Sequence, residues 1–147
     1  MERGKVLVSV VMSAFNTEKY IKRAIESILH QTLQNFEFII VNDASKDLTP
    51  TIVQLYAKRD KRIRLINNDR NLKIAHSLNR GVSYAKADLI ARMDADDISH
   101  PERLEMQYAF LKQHPNIAIV GTNISVTDDK EKEVWKREYP TESEEIK

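Results

Sequence analysis

Through most of the chain, short runs of apolar, β-branched residues alternate with longer stretches in which apolar side chains return every three or four positions. Val6 to Met12 is the first such run, and it predicts a buried strand that ends in the turn-like Ser13-Ala14-Phe15-Asn16. Tyr20, Ile21, Ala24, Ile25, Ile28 and Leu29 then recur at helical spacing opposite Lys19, Lys22, Arg23 and Glu26, with Asn16 or Thr17 placed to cap the helix. A second strand is expected over Phe36 to Val41. It closes on Asn42-Asp43-Ala44-Ser45-Lys46-Asp47, and Thr49-Pro50 supplies an N-cap and a first-turn proline for a helix whose inner stripe is Ile52, Val53 and Tyr56. Ile63 to Ile66 predicts a third strand, and Ile74, Ala75, Leu78, Val82 and Ala85 the inner face of the helix after it.

Leu89 to Met93 reads as a fourth strand. Beyond it, Ser99 and Glu102 have capping-box spacing around Pro101, opening a helix that buries Leu104, Tyr108 and Leu111 before His114-Pro115 ends it. Ile117 to Val120 predicts a fifth strand. After Gly121 the texture changes: Thr127-Asp128-Asp129-Lys130 looks like a hairpin turn, Val134 to Tyr139 alternates like an antiparallel strand, and residues 141–147 begin as a helix would. Strands alternating with helices predict an α/β fold, a doubly wound and mostly parallel sheet with helices on both faces. The expectation is one domain over residues 1–147, cut short at its C-terminal end.

Composition narrows the chemistry. A chain of 147 residues can bury a core without covalent staples, and with no cysteine it has neither thiol catalysis nor disulfides nor Cys-ligated zinc. The 23 basic and 22 acidic residues nearly cancel, so no global field argues for nucleic acid or an anionic membrane. No segment approaches the roughly 20 apolar residues of a membrane span. The opening strand is also too brief for a secretory signal. A cytoplasmic location is the default expectation, and a membrane-peripheral one for a full-length protein stays open.

In an open parallel sheet, ligands bind outside the carboxyl ends of the strands. Those ends are polar here: Ser13 to Asn16, Asn42 and Asp43, Asn67 to Lys73, and Asp94 to Asp97. The acidic run admits two readings, an acidic turn capping the next helix or a site for a hard divalent cation that also grips phosphate. With three glycines in all, Gly4, Gly81 and Gly121, neither a GxGxxG fingerprint nor a P-loop can be written, which excludes the common dinucleotide and P-loop sites. An EF-hand starting at Asp94 fails because Ile98 takes the fifth, ligand position and Ser99 the sixth, where glycine is needed.

Three segments, each after an expected strand, resemble a known family. Val8-Ser9-Val10-Val11-Met12-Ser13-Ala14-Phe15-Asn16, then Val41-Asn42-Asp43-Ala44-Ser45-Lys46-Asp47-Leu48-Thr49, then Met93-Asp94-Ala95-Asp96-Asp97 with Pro101-Glu102-Arg103-Leu104, look like family 2 glycosyltransferases of the GT-A fold. The resemblance spans about residues 6 to 123. It implies a nucleotide-sugar donor, usually UDP-linked, and a saccharide or lipid-linked acceptor, with no nucleic acid partner. Ser13 and Phe15 match positions that meet the base, with Asn16 and Ala95 beside the nucleotide-sugar, and Asp43 matches the carboxylate that accepts the uracil N–H. Asp43 also reads as a simple turn-former.

Asp94 and Asp96 match the family's DXD pair, which implies Mn2+ or Mg2+, with Asp96 the first ligand and Asp94 the second. Asp97 reads equally well as a turn or cap residue. Lys73 departs from the pattern, standing where the family usually has glycine. Either Lys73 or Arg70 is placed to offer charge to a diphosphate, and a solvent-exposed helix-start lysine is the plain alternative. His76 and His114 have no metal-like surroundings in sequence.

The resulting expectation is the donor-binding part of an inverting, metal-dependent glycosyltransferase whose catalytic base lies beyond Lys147. A non-catalytic nucleotide-sugar module is the alternative. A nucleotidyltransferase fits less well, because it resembles a glycine-rich basic loop where this chain has Ser13-Ala14-Phe15-Asn16.

Overall fold

The computed structural model describes residues 4–128 and 132–139. The chain divides into two compact units, residues 1–108 and 109–147. Four strands, β1 (Val8–Ala14), β2 (Phe36–Asn42), β3 (Ile63–Asn67) and β4 (Leu89–Asp94), form a parallel sheet in the order β3-β2-β1-β4. The helices α1 (Ile21–Leu29), α2 (Thr49–Arg59) and α3 (Lys73–Val82) connect them, and α4 (Arg103–Gln113) follows β4. This is the expected α/β architecture. β1 and β2 are central and mostly apolar because both of their faces are covered, and the buried polar pair that interrupts them, Ser9 and Glu37, is joined by a hydrogen bond of 2.7 Å from the Ser9 hydroxyl to the Glu37 carboxylate.

Alternation along those strands divides the core. Val10, Met12 and Ala14 of β1, with Phe36, Phe38 and Ile40 of β2, pack with Ile21, Ala24, Ile25 and Ile28 of α1, Val53 of α2 and Leu104 of α4. Val11, Ile39 and Val41 point the other way, toward Leu78, Tyr84 and Ala85. On that second face the expected helix stripe is corrected. Ile74, Ala75 and Val82 are exposed, and the buried residues of α3 are Ser77 and Gly81. The helix rides close to the sheet on its small residues: a Cβ at Gly81 would stand 2.4 Å from Val11 Cγ1.

The caps also differ from expectation. α1 starts at Ile21 behind a turn in which Tyr20 and Ile21 both donate their N–H to Thr17 O, so neither Asn16 nor Thr17 caps it, and Tyr20 is exposed. Thr49 is the first residue of α2. Its N–H goes to Asp47 Oδ1, and its hydroxyl accepts the N–H of Thr17. The Ser99–Glu102 box does not form, because the Ser99 hydroxyl is taken by Arg103 Nε at 2.7 Å and Gln31 Nε2 at 3.2 Å. These polar side chains tie segments distant in sequence together instead of closing a local helix end.

In the second unit, β5 (Ile124–Thr127) and β6 (Glu133–Arg137) pair antiparallel, as the alternation suggested, with a register irregularity at Val126/Thr127. The strand expected over Ile117 to Val120 is not formed. An apolar run becomes a strand only when a neighbour takes its hydrogen bonds, and here Ile119 is 87% exposed with no strand paired to it among the described residues. The tip of the turn expected at Thr127–Lys130 and the helix start expected over 141–147 lie outside the described residues. No described helix is long and apolar enough to cross a membrane.

Candidate functional site

Three of the four parallel strands end in a polar residue, Asn42, Asn67 and Asp94, while β1 ends on Ala14 just after Ser13, and all four ends lie on one side of the sheet. The register pairs Ser13 of β1 with Asp94 of β4, and Ala14 with Asn42 of β2, so the groups that follow are fixed by the sheet itself. They open on a cavity of about 430 Å3 lined by Ser13, Phe15, Thr17, Asp43, Asn71, Lys73, Ile74, Asp94, Ala95 and Asp96. That volume suits a small-molecule ligand.

Asp43 is the organising residue of one end. It is 1% exposed, directly after β2, with its N–H on Ala14 O. Its Oδ1 accepts Asn68 Nδ2 and the Leu72 N–H, each at 2.7 Å, and its Oδ2 accepts the Lys73 N–H at 2.9 Å. Burial opposes ionisation, but hydrogen bonds from Leu72, Asn68, Ser77 and Lys73 outweigh it and hold the carboxyl below the ordinary carboxylate value. The turn-former reading therefore misses its reach: Asp43 holds the loop between β3 and α3, about thirty residues on.

Lys73 carries a positive φ of 69°, the left-handed region that favours glycine. Asn16 (φ 51°) and Ala44 (φ 59°) share that conformation at the ends of β1 and β2. Asn16 does not line the cavity. Its N–H goes to Ser45 Oγ, and its Oδ1 accepts the Lys46 N–H at 2.9 Å, so its side chain braces the β2–α2 loop.

At the other end, Asp94 closes β4 and is forked by Arg92, whose Nε and Nη2 donate to it at 3.0–3.1 Å. Ala95 is buried, and Asp96 is exposed at the cavity. Asp97 does not line it. The protein around its carboxyl withdraws water, and Asp94 and Asp96 add repulsion, so this group sits above the ordinary carboxylate value.

No group of three or more His, Cys, Asp or Glu that could hold a metal occurs among the described residues. Two carboxylates, Asp96 and Asp94, suit a hard cation that takes its remaining ligands from water and from substrate phosphate, as Mg2+ and Mn2+ do, and do not suit an all-protein cage. Arg70 and the two histidines, His76 and His114, are not among the lining residues.

Sequence reasoning missed Thr17 and Ile74, and reached Asn71 only within the stretch Asn67 to Lys73. Thr17 Oγ1 is buried without a hydrogen-bond partner among the described residues. It lies in the turn before α1, which begins at Ile21, three or four residues later than a cap at Thr17 or Asn16 would place it, and no local pattern signals that delay.

The sequence matches the family model described as Glycosyl transferase family 2 over residues 9–147. It is 46% identical over 123 residues to EpsE of Bacillus subtilis, named as a glycosyltransferase, which covers 83% of this chain and 44% of that protein. Among solved structures, S. aureus TarS (1–349) in complex with UDP-GlcNAc superposes with a TM-score of 0.69 at 28% identity, covering 74% of this chain and 32% of that one. The mannosyltransferase PcManGT of Pyrobaculum calidifontis, in complex with GDP-Man and Mn2+, gives a TM-score of 0.65 at 22% identity over 87% of this chain and 37% of its own, a likeness of fold. The chain thus spans less than half the length of these proteins.

Proposed function

The chain belongs to glycosyl transferase family 2, and from that premise we propose that its crevice is the donor half of an inverting, metal-dependent glycosyltransferase site. It holds a nucleoside-diphosphate sugar, UDP-linked by preference, whose sugar passes to a hydroxyl of a saccharide or lipid-linked acceptor. One observation carries this reading: Ser13, Phe15, Asp43, Asp94, Ala95 and Asp96, the ends of three different strands, line a single cavity. A UDP donor draws support from TarS, which is solved with UDP-GlcNAc.

Phe15, 45% exposed at the cavity, offers its ring to the base, and Asp43 accepts a base N–H. Because Asp43 is buried and held ionised, a base that lacks this N–H leaves a carboxylate unpaired, so the contact discriminates. Ala95 keeps the turn tight and places Asp94 and Asp96 on the diphosphate. Asp96, free of the Arg92 fork, is the first ligand, and Asp94 the second. When bound, Mn2+ or Mg2+ supplies Lewis-acid stabilisation of the diphosphate leaving group. The acceptor oxygen bonds to the anomeric carbon from the face opposite the departing diphosphate, and its proton passes to a base on the acceptor side. None of the residues lining the crevice is assigned as that base.

Calorimetric titration of UDP with and without Mn2+ tests the reading. Binding is expected to tighten with metal, and Asp96→Ala to abolish that gain while leaving metal-free binding in place. Equal affinities with and without metal, and no effect of the substitution, would sink the diphosphate assignment.

A further inference from the structure

We propose that Lys73 reads the base. Resting on the nucleotide-donor reading above, its ammonium and the Asp43 carboxylate form an adjacent donor–acceptor pair that selects keto bases over amino bases.

The left-handed backbone at Lys73 is the first observation. A glycine would make the same backbone hydrogen bonds, to Asp43 Oδ2 at 2.9 Å and Asn71 Oδ1 at 3.2 Å, without the strain that a Cβ brings at φ 69°. The backbone requirement therefore does not account for a lysine. Strained residues persist where the surroundings over-determine them, and they cluster where a side chain is put to use. The Lys73 side chain is exposed, lines the cavity, and makes no hydrogen bond or ion pair among the described residues.

Its location is the second. In the order β3-β2-β1-β4, the end of β2 lies two strands from the end of β4, so Asp43 and Asp94 stand about 10 Å apart across the crevice. Lys73 is hydrogen-bonded to Asp43 through its own N–H, which fixes its backbone at the base end and away from the acidic pair expected to hold the diphosphate. Arg92, at the other end, is occupied by Asp94, and Arg80 by Asn68. Lys73 is the basic residue among those lining the cavity.

Hydrogen-bond polarity then sets the ligand. Asp43 Oδ1 accepts two N–H groups and Oδ2 one, the Ser77 hydroxyl being a further partner of the carboxylate, and this acceptor lines the cavity together with Lys73, whose side chain is a donor only. Uracil presents N3–H beside O4, and guanine presents N1–H beside O6. Both match an acceptor next to a donor. Cytosine and adenine present a ring nitrogen lone pair beside an amino group, so both contacts reverse and a carboxylate faces a lone pair while an ammonium faces N–H2.

The experiment compares UDP, GDP, CDP and ADP by calorimetry in Mn2+ for the wild-type protein, Lys73→Met and Lys73→Gly. The diphosphate is common to all four, so a base contact alters the ratio and a diphosphate contact does not. Wild type is expected to bind a keto nucleotide, UDP or GDP, more tightly than CDP and ADP. Lys73→Met, which keeps the length and the strained backbone, is expected to weaken the preferred keto nucleotide about tenfold while CDP and ADP stay within about twofold. Lys73→Gly should show the same collapse of preference with a melting temperature raised by roughly 2–4 °C, which separates the loss from misfolding. An equal fall for all four nucleotides, or none, overturns the base role. A wild type without preference between keto and amino nucleotides overturns the pairing and leaves the donor reading standing. A wild type that binds none of them overturns the donor reading itself.

Discussion

Thr17 is the residue whose position costs the free protein most visibly. Its backbone is fully used, the N–H on Thr49 Oγ1 and the carbonyl on Tyr20 and Ile21, but its hydroxyl is buried beside the cavity without a partner among the described residues. A buried hydroxyl left unpaired costs about 1–3 kcal/mol, and one that waits for a ligand recovers that cost on binding. Thr17→Val keeps the shape and deletes the hydroxyl. The expected outcome is stability unchanged or higher by up to about 1 kcal/mol in urea unfolding, with UDP affinity lowered roughly 3- to 10-fold. Lost stability with unchanged affinity would assign the hydroxyl to the fold alone. Ser13, Phe15, Asp43, Asp94 and Asp96 were legible in the sequence because each ends or follows an apolar run, and strand ends converge by the geometry of a parallel sheet. Asn16 lies in the same turn yet was misplaced. Its φ of 51° turns the amide to Lys46, and φ is not written in residue type.

The strands were easier to read than the helices because a central strand is apolar on both faces, whereas a helix is placed by whichever stripe fits closest. On α3 the apolar pattern of Ile74, Ala75 and Val82 was overridden by Ser77 and Gly81, whose small size lets the helix approach β1 and β2. Helix starts were displaced for a related reason. Thr49 and Ser99 have cap chemistry, but their hydroxyls serve Thr17 and Arg103 across the fold, and spacing alone does not tell a local partner from a distant one. Gly81→Ala tests the close approach. Alanine should gain about 1 kcal/mol of helix propensity. Its Cβ would fall 2.4 Å from Val11 Cγ1 and 3.2 Å from Val41 Cγ2. Both are β-branched side chains with restricted rotamers, on central strands that cannot retreat. Overpacking of this kind costs about 1–3 kcal/mol, so a net loss of up to roughly 2 kcal/mol is expected, read as a lower urea midpoint at unchanged slope. A midpoint at or above that of wild type would mean that α3 shifts freely over the sheet.

Across the whole molecule, the sheet spaces the site while a set of ionised carboxylates holds its loops, and that division makes the fold acid-sensitive. Burial raises the Asp43 carboxyl, but hydrogen bonds from Leu72, Asn68, Ser77 and Lys73 bring it below its ordinary value; burial likewise opposes the side-chain and backbone bonds of Thr49 and Glu18 that lower Asp47. Asp60 is lowered first by its hydrogen bond to Arg62, an ion pair of 2.7 Å that closes the turn before β3. Each of the three binds its proton less readily folded than unfolded. Their stabilisation is therefore complete above the unfolded value, about 3.9 for Asp, and is lost as pH falls below that value and through the lower folded ones. Asp97 runs the other way, and one raised carboxyl against three lowered ones softens the descent without reversing it. The melting temperature should hold between pH 7 and pH 5 and fall steeply below about pH 4. Asp60→Asn, distant from the crevice, should lower the plateau and flatten part of that fall while leaving nucleotide affinity intact at pH 7. A melting temperature that holds to pH 3 in the unsubstituted protein would show that these loops stand on packing alone.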